Sequence, residues 1–148
     1  MITKVYFTHT TDDGYIYDAR PMPEEFIGTH HKPASKTCIR LYVIDTNEEK
    51  KFIVHKGSKN ISLSDEGEKG FVGYYDYQIE DNGTITPQSF YVHPFHRGKG
   101  IAKNVLFYIE NISEKGTIYD DFVISDPSIV KIVEEIISRN KCIVNYIQ

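Results

Sequence analysis

One stretch of the chain concentrates groups able to hold an anion: Ser89-Phe-Tyr-Val-His-Pro-Phe-His-Arg-Gly-Lys-Gly-Ile-Ala-Lys103. Its centre is Arg97-Gly98-Lys99-Gly100, and an amphipathic pattern begins near Gly100. The first turn of a helix has backbone N–H groups without intrahelical partners and a partial positive charge. Two glycines let a ligand approach that backbone closely. Arg97, Lys99 and Lys103 add three positive charges, so the combination predicts a phosphate or pyrophosphate cradle. Two common nucleotide loops do not fit. A GxxxxGK[ST] loop needs glycine at 93, where His stands, and Ser or Thr after Lys99, where Gly100 stands. A GxGxxG fingerprint begins at Gly98-Lys99-Gly100 but meets Lys103 at its last position. A Gly-rich basic turn also serves as a plain solvated connection, so the elements around it decide.

Upstream lies Phe71–Ile79, then Glu80-Asp81-Asn82-Gly83, a hairpin turn whose Asn-Gly supplies the positive φ angles. Thr84–Val92 is the partner strand, with a bulge or bend predicted at Pro87. The period then changes. Ile101, Val105, Leu106, Ile109 and Ile112 share one helical face, and Gly116 sits at the C-cap position. Thr117–Ile124 returns to strand composition. Asp126 and Pro127 open a second helix with the stripe Ile129, Ile132, Val133, Ile136 and Ile137, and Lys141–Ile147 closes the chain as a strand. Before the hairpin, 38–45 reads as a strand, Thr46–Glu49 as a turn, Lys51–His55 as the returning strand and 62–70 as an acidic loop. Residues 2–8 suggest a short strand. Residues 12–36 hold Pro21, Pro23, Pro33, Gly14 and Gly28, which predicts irregular chain with a helical turn opening at Pro23. The order predicts a mixed α/β (α+β) class with a largely antiparallel first half.

The chain has 148 residues, a length that suits one domain. Hydrophobic residues at 40% and charged residues at 26% exclude disorder for most of it. A net charge of −4 excludes a broad nucleic-acid surface, yet Asn82–Ile109 contains no acidic residue and all three cradle cations. The basic window suits the phosphates of one small cofactor. No apolar run is long enough to span a bilayer, and no signal peptide is recognisable, so a cytoplasmic protein is expected. Cys38 and Cys142 fit no ligand pattern and are read as reduced thiols. The adjacent His30 and His31 are read as surface residues, and no metal site is expected.

The stretch Arg97-Gly98-Lys99-Gly100-Ile101-Ala102, with Val92-His93-Pro94 before it, resembles the signature of the GNAT family of acyl-CoA-dependent N-acyltransferases. The element order from residue 38 to 148 agrees with that family. The resemblance implies a GNAT-like fold, a mostly antiparallel mixed sheet splayed at the CoA site with flanking helices, over a single domain 1–148. Residues 84–139 would form the CoA-binding core and residues 1–36 the acceptor side. It implies that backbone N–H groups of Gly98, Lys99, Gly100, Ile101 and Ala102 bind the pyrophosphate of acetyl-CoA. The Tyr91 and Val92 backbone would pair with the pantetheine arm, an N–H near Val92 would polarise the thioester, and Arg97, Lys103 and Ser125 would complete the cofactor-binding set. The family's acid tyrosine is missing, since its position falls on Ile132 or Val133. The catalytic candidates are therefore Glu80, with Asp76 on the same face of its strand, His93 beside the thioester end, and Tyr119 on the splayed strand. A water relay is an alternative base, and His96 would help bind phosphate. The acceptor implied is a primary amine, on a small molecule or a peptide, attacking acetyl-CoA directly in a ternary complex. The alternative is a GNAT-like module that binds or senses CoA with weak turnover. No nucleic-acid or membrane partner is expected, and the last strand could pair within the monomer or across a homodimer.

Overall fold

The computed structural model describes residues 5–23, 37–55, 60–113, 115–118 and 127–139. Five strands form an antiparallel sheet in the order β1-β2-β3-β7-β8: β1 (Phe7–Thr10), β2 (Tyr15–Pro21), β3 (Thr37–Asp45), β7 (Phe71–Ile79) and β8 (Ile85–Val92). Between β3 and β7 the chain builds a separate small sheet, β5-β4-β6, from β4 (Lys51–Val54), β5 (Ile61–Leu63) and β6 (Glu68–Lys69). A 3₁₀ turn (Pro94–His96) and helix α1 (Ile101–Ile112) follow β8, and α2 is Pro127–Arg139. No described helix is long and apolar enough to cross a membrane.

Alternation along β3 divides the molecule. Ile39, Leu41 and Val43 are fully buried, as are Tyr75 and Tyr77 of β7 across the pairing. Helix α1 adds Ile101, Val105, Leu106 and Ile109 to this core, and its Tyr108 packs against Phe7, His9 and Tyr17. The other face is polar at its centre. Arg40 makes two bonds to the Asp76 carboxylate, at 2.7 and 2.8 Å, with both side chains buried. Ser89 Oγ donates to Asp76 Oδ2 at 3.0 Å, so the pair ties β3, β7 and β8 together. Beside it, Tyr42, Tyr74 and Tyr91 stand opposite one another across three strands. Each tyrosine carries a guanidinium over its ring: Arg20 at 4.6 Å, Arg40 at 4.1 Å and Arg97 at 5.3 Å.

Several sequence expectations change. Residues 12–36 were expected to be irregular, yet β1 and β2 form a hairpin across Thr11–Gly14, with Gly14 at φ 92°. The run Tyr15-Ile16-Tyr17-Asp18-Ala19 does alternate, and Asp12-Asp13-Gly14 is its turn, a signal outweighed by the prolines that follow. Residues 51–55 do not return along β3. Strand β4 pairs instead with β5 and β6, inside what was read as loop, and Phe52 is its fully buried anchor. The bend expected at Pro87 is present. Asp76 pairs with Ser89 and Tyr77 with Pro87, so Gln88 is the extra residue beside the proline that lacks an N–H. Helix α1 ends at Ser113 rather than at Gly116, although Gly116 does take φ 77° and bonds Ser113 Oγ. Ile137, expected in the apolar stripe of α2, is half exposed. Asp126, Cys142, His30, His31, the turn after Pro23 and the final strand lie outside the described residues.

Removing one partner of a buried ion pair leaves the other charge without compensation. Arg40→Met should therefore lower stability by about 3–5 kcal/mol, measured by urea unfolding. Arg40→Met with Asp76→Leu together should recover most of that loss.

Candidate functional site

An open cleft of about 820 Å³ lies beside the C-terminal end of β8. Its walls are Phe90, Tyr91 and Val92 of β8, His96 to Gly100 of the connection except Lys99, Ile101 to Lys103 of α1, Ile129 and Ile132 of α2, and Asn60 just before β5. The strand side follows from hydrogen-bond alternation. The His93 N–H is bonded to Val72 O at 2.8 Å, so the N–H and C=O of Val92 turn to the opposite, outer edge. The Val92 carbonyl there is taken by Arg97 Nε at 2.9 Å. At the other end of β8, Ile85 makes a parallel bridge to Thr117: its N–H bonds Gly116 O at 3.0 Å and its carbonyl accepts from Ile118 at 2.8 Å. The edge is thus paired at Ile85 and borders the cleft at Phe90–Val92.

The helix side supplies the cradle. Gly98 and Gly100 both have φ 80°, which side chains avoid. A Cβ at Gly98 would meet nothing within 4 Å, and one at Gly100 only Asn104 Nδ2 at 3.8 Å. Glycine is therefore required by backbone conformation, and the space above it is open. Gly100 is the N-cap of α1 without a side-chain cap bond, and no acidic residue lies in the first turn. The N–H groups at the start of α1 remain available to an anion, with Arg97 and Lys103 beside them. Lys103 meets Glu135 at 3.8 Å across half-exposed side chains, a weak pair in solvent.

The model of the Acetyltransferase (GNAT) family matches residues 17–119, from β2 through the cradle. The chain belongs to the GNAT family. No curated protein and no solved structure gives a significant match to it. The mixed antiparallel architecture agrees with the GNAT fold, and acetyl-CoA is the donor that this family generally uses.

Of the residues expected to bind the cofactor, Tyr91, Val92, Arg97, Gly98, Gly100, Ile101, Ala102 and Lys103 all line the cleft. Lys99 is the exception. Its Nζ turns onto His96 Nδ1 at 3.3 Å, although its backbone stays between the two glycines. Tyr91 contributes its side chain, since its own backbone groups alternate toward β7. Ser125 lies outside the described residues. Contributors that the sequence did not single out are Asn60, Phe90 and the α2 residues Ile129 and Ile132. The last two were legible as an apolar stripe, and Ile132 also as one of the two positions where the family's acid tyrosine is missing.

The catalytic candidates do not converge. Glu80 sits in the hairpin turn, its N–H bonded to Thr84 O at 2.8 Å. The eight-residue strand β8 separates it from Val92 by roughly 25 Å, too far for proton transfer at that point. Asp76 lies four residues earlier along β7, whose alternation is unbroken there because the bulge residue belongs to β8, but its carboxylate is held by Arg40 and Ser89. His93 is buried. Its Nδ1 accepts the Phe95 N–H at 3.2 Å, capping the 3₁₀ turn, and its ring packs against Phe52 at 4.9 Å. Burial pushes its pKa below the usual histidine value, and the ring serves as a cap that does not line the cleft. His96 is buried too, bonded through Nε2 to Glu48 Oε1 at 2.9 Å, which holds the Glu48 carboxyl below its ordinary range. Tyr119 lies outside the described residues.

A folded-state histidine pKa below 6.5 means that the unfolded chain binds the extra proton first. Stability should therefore fall as pH drops below about 6.5. His93→Asn, which keeps a cap acceptor without a titrating ring, should flatten that part of a thermal-denaturation profile. Gly100→Glu puts a carboxylate over the cradle at a left-handed position. It should abolish stabilisation by CoA while its own strain, about 1–2 kcal/mol, lowers Tm by only a few degrees.

Proposed function

We propose that this GNAT domain transfers the acetyl group of acetyl-CoA to a primary amine. The observation that carries the reading is the pairing of two features on one cleft: the outward N–H of Val92 and the left-handed glycine turn that opens α1. The turn would hold the pyrophosphate, and the exposed edge of β8 would pair with the pantetheine arm as a further strand does. The thioester carbonyl would then lie at Val92, whose N–H donates to the oxygen as the amine attacks the carbonyl carbon. The C–S bond breaks and the thiolate leaves. The amine must be neutral to attack, and among the described residues lining the cleft no carboxylate is present to take its proton. A water relay to solvent suits this wall, and the missing acid tyrosine leaves thiolate protonation to solvent as well.

The lack of a carboxylate among the described walls, and the engagement of both His96 ring nitrogens with Glu48 and Lys99, favour a second reading, a domain that binds CoA with weak turnover. Thiol release from acetyl-CoA across a panel of primary amines separates the two. Amine-dependent release is expected, whereas CoA binding with no such release would support the binding module. Val92→Pro removes a single edge-facing N–H, a position where proline is tolerated. It should keep CoA binding and cut kcat about 10²–10³-fold.

A further inference from the structure

Beneath the cradle, the ring of His96 joins two parts of the chain that are far apart in sequence. It is 5% exposed, and both its nitrogens are engaged. Nε2 meets Glu48 Oε1 at 2.9 Å, in the turn that leads from β3 into the small sheet. Nδ1 meets Lys99 Nζ at 3.3 Å, in the middle of the glycine turn. An ammonium can only donate, so Nδ1 must be the acceptor and the ring proton sits on Nε2, donated to the carboxylate. The Asp45 carboxylate lies 3.7 Å from Nδ1, and Phe52 presents its ring edge-on at 6.2 Å. Carboxylate, imidazole and ammonium thus form a continuous strut from the small sheet to the turn between Gly98 and Gly100. Both those glycines have open surroundings, so their own neighbours do little to fix the turn.

We propose that His96 is a positioning residue for the cradle, acting through Lys99 and braced by Glu48; this rests on the CoA-binding reading. The strut holds the Lys99 backbone, and with it the N–H groups on either side, in the arrangement an anion needs. It makes the small sheet a functional part of the cofactor site, although among the described residues between β3 and β7 only Asn60, just before β5, lines the cleft.

Glu48 provides the discriminating test because it does not line the cleft. If Glu48 acted only through its charge, removing it would strengthen binding of an anionic ligand. The strut requires the opposite. In calorimetric titrations with CoA, Glu48→Ala should weaken binding about tenfold, and in turnover assays it should raise KM for acetyl-CoA with kcat unchanged. His96→Gln and Lys99→Met should each weaken binding similarly, and the double variant should be no weaker than the worse single one. Lys99 is exposed, so Lys99→Met tests the strut even if His96→Gln fails to fold. Unchanged or tighter binding by Glu48→Ala, or additive effects in the double variant, overturns the strut while leaving the cofactor reading intact. No binding of CoA by the unchanged protein overturns the cofactor reading and the strut with it.

Discussion

The site depends on how one strand spends its hydrogen bonds. Every buried backbone N–H and C=O needs a partner, and a strand alternates its groups between its two neighbours. Strand β8 satisfies its inner set against β7. Its outer set is used by Gly116 and Ile118 at Ile85 and by Arg97 at the Val92 carbonyl, with the cleft between α1 and α2 beside Phe90–Val92. An extended ligand with amide groups is a natural partner for such an edge. The bulge at Gln88, forced by a proline that cannot donate, re-aims the strand just before the segment that lines the cleft.

The rest of the molecule fixes that edge in place. The Arg40–Asp76 pair with Ser89 locks β8 to the sheet centre from the polar face, and the row Tyr42, Tyr74 and Tyr91 ends in the Arg97 guanidinium at the cleft. Beyond β8 two buried histidines turn the chain. His93 caps the 3₁₀ turn and His96 braces the loop against Glu48, with Phe52 of the small sheet edge-on to both rings. His93 and Asp76, which look like acid–base candidates in the sequence, thus do mechanical work.

The legible and illegible parts of the sequence differ for physical reasons. The glycine turn into α1 was legible because its requirements are local: left-handed φ at Gly98 and Gly100 and a helix that starts at Ile101. The hairpin before it was legible from Asn82-Gly83, and the bulge from Pro87. Strand β2 was lost because the prolines just downstream outweighed a short alternating run. The partner of β4 was lost because hairpin adjacency predicts pairing with β3, whereas burial of Phe52 takes the strand to another sheet. Catalytic candidates were chosen by residue type, and type says nothing about reach. Glu80 proved to be at the wrong end of its hairpin, and His93 has its ring nitrogen committed to the chain itself.

The central claim is that the outer edge of β8 and the first turn of α1 together hold acetyl-CoA. Amide hydrogen exchange, followed residue by residue by NMR with and without acetyl-CoA, tests it most directly. Slowed exchange confined to the Val92 N–H and to the amides of Gly98 through Ala102, with little change along β1 and β2, is the predicted result. Binding with those amides unprotected, or with protection centred elsewhere, would contradict it.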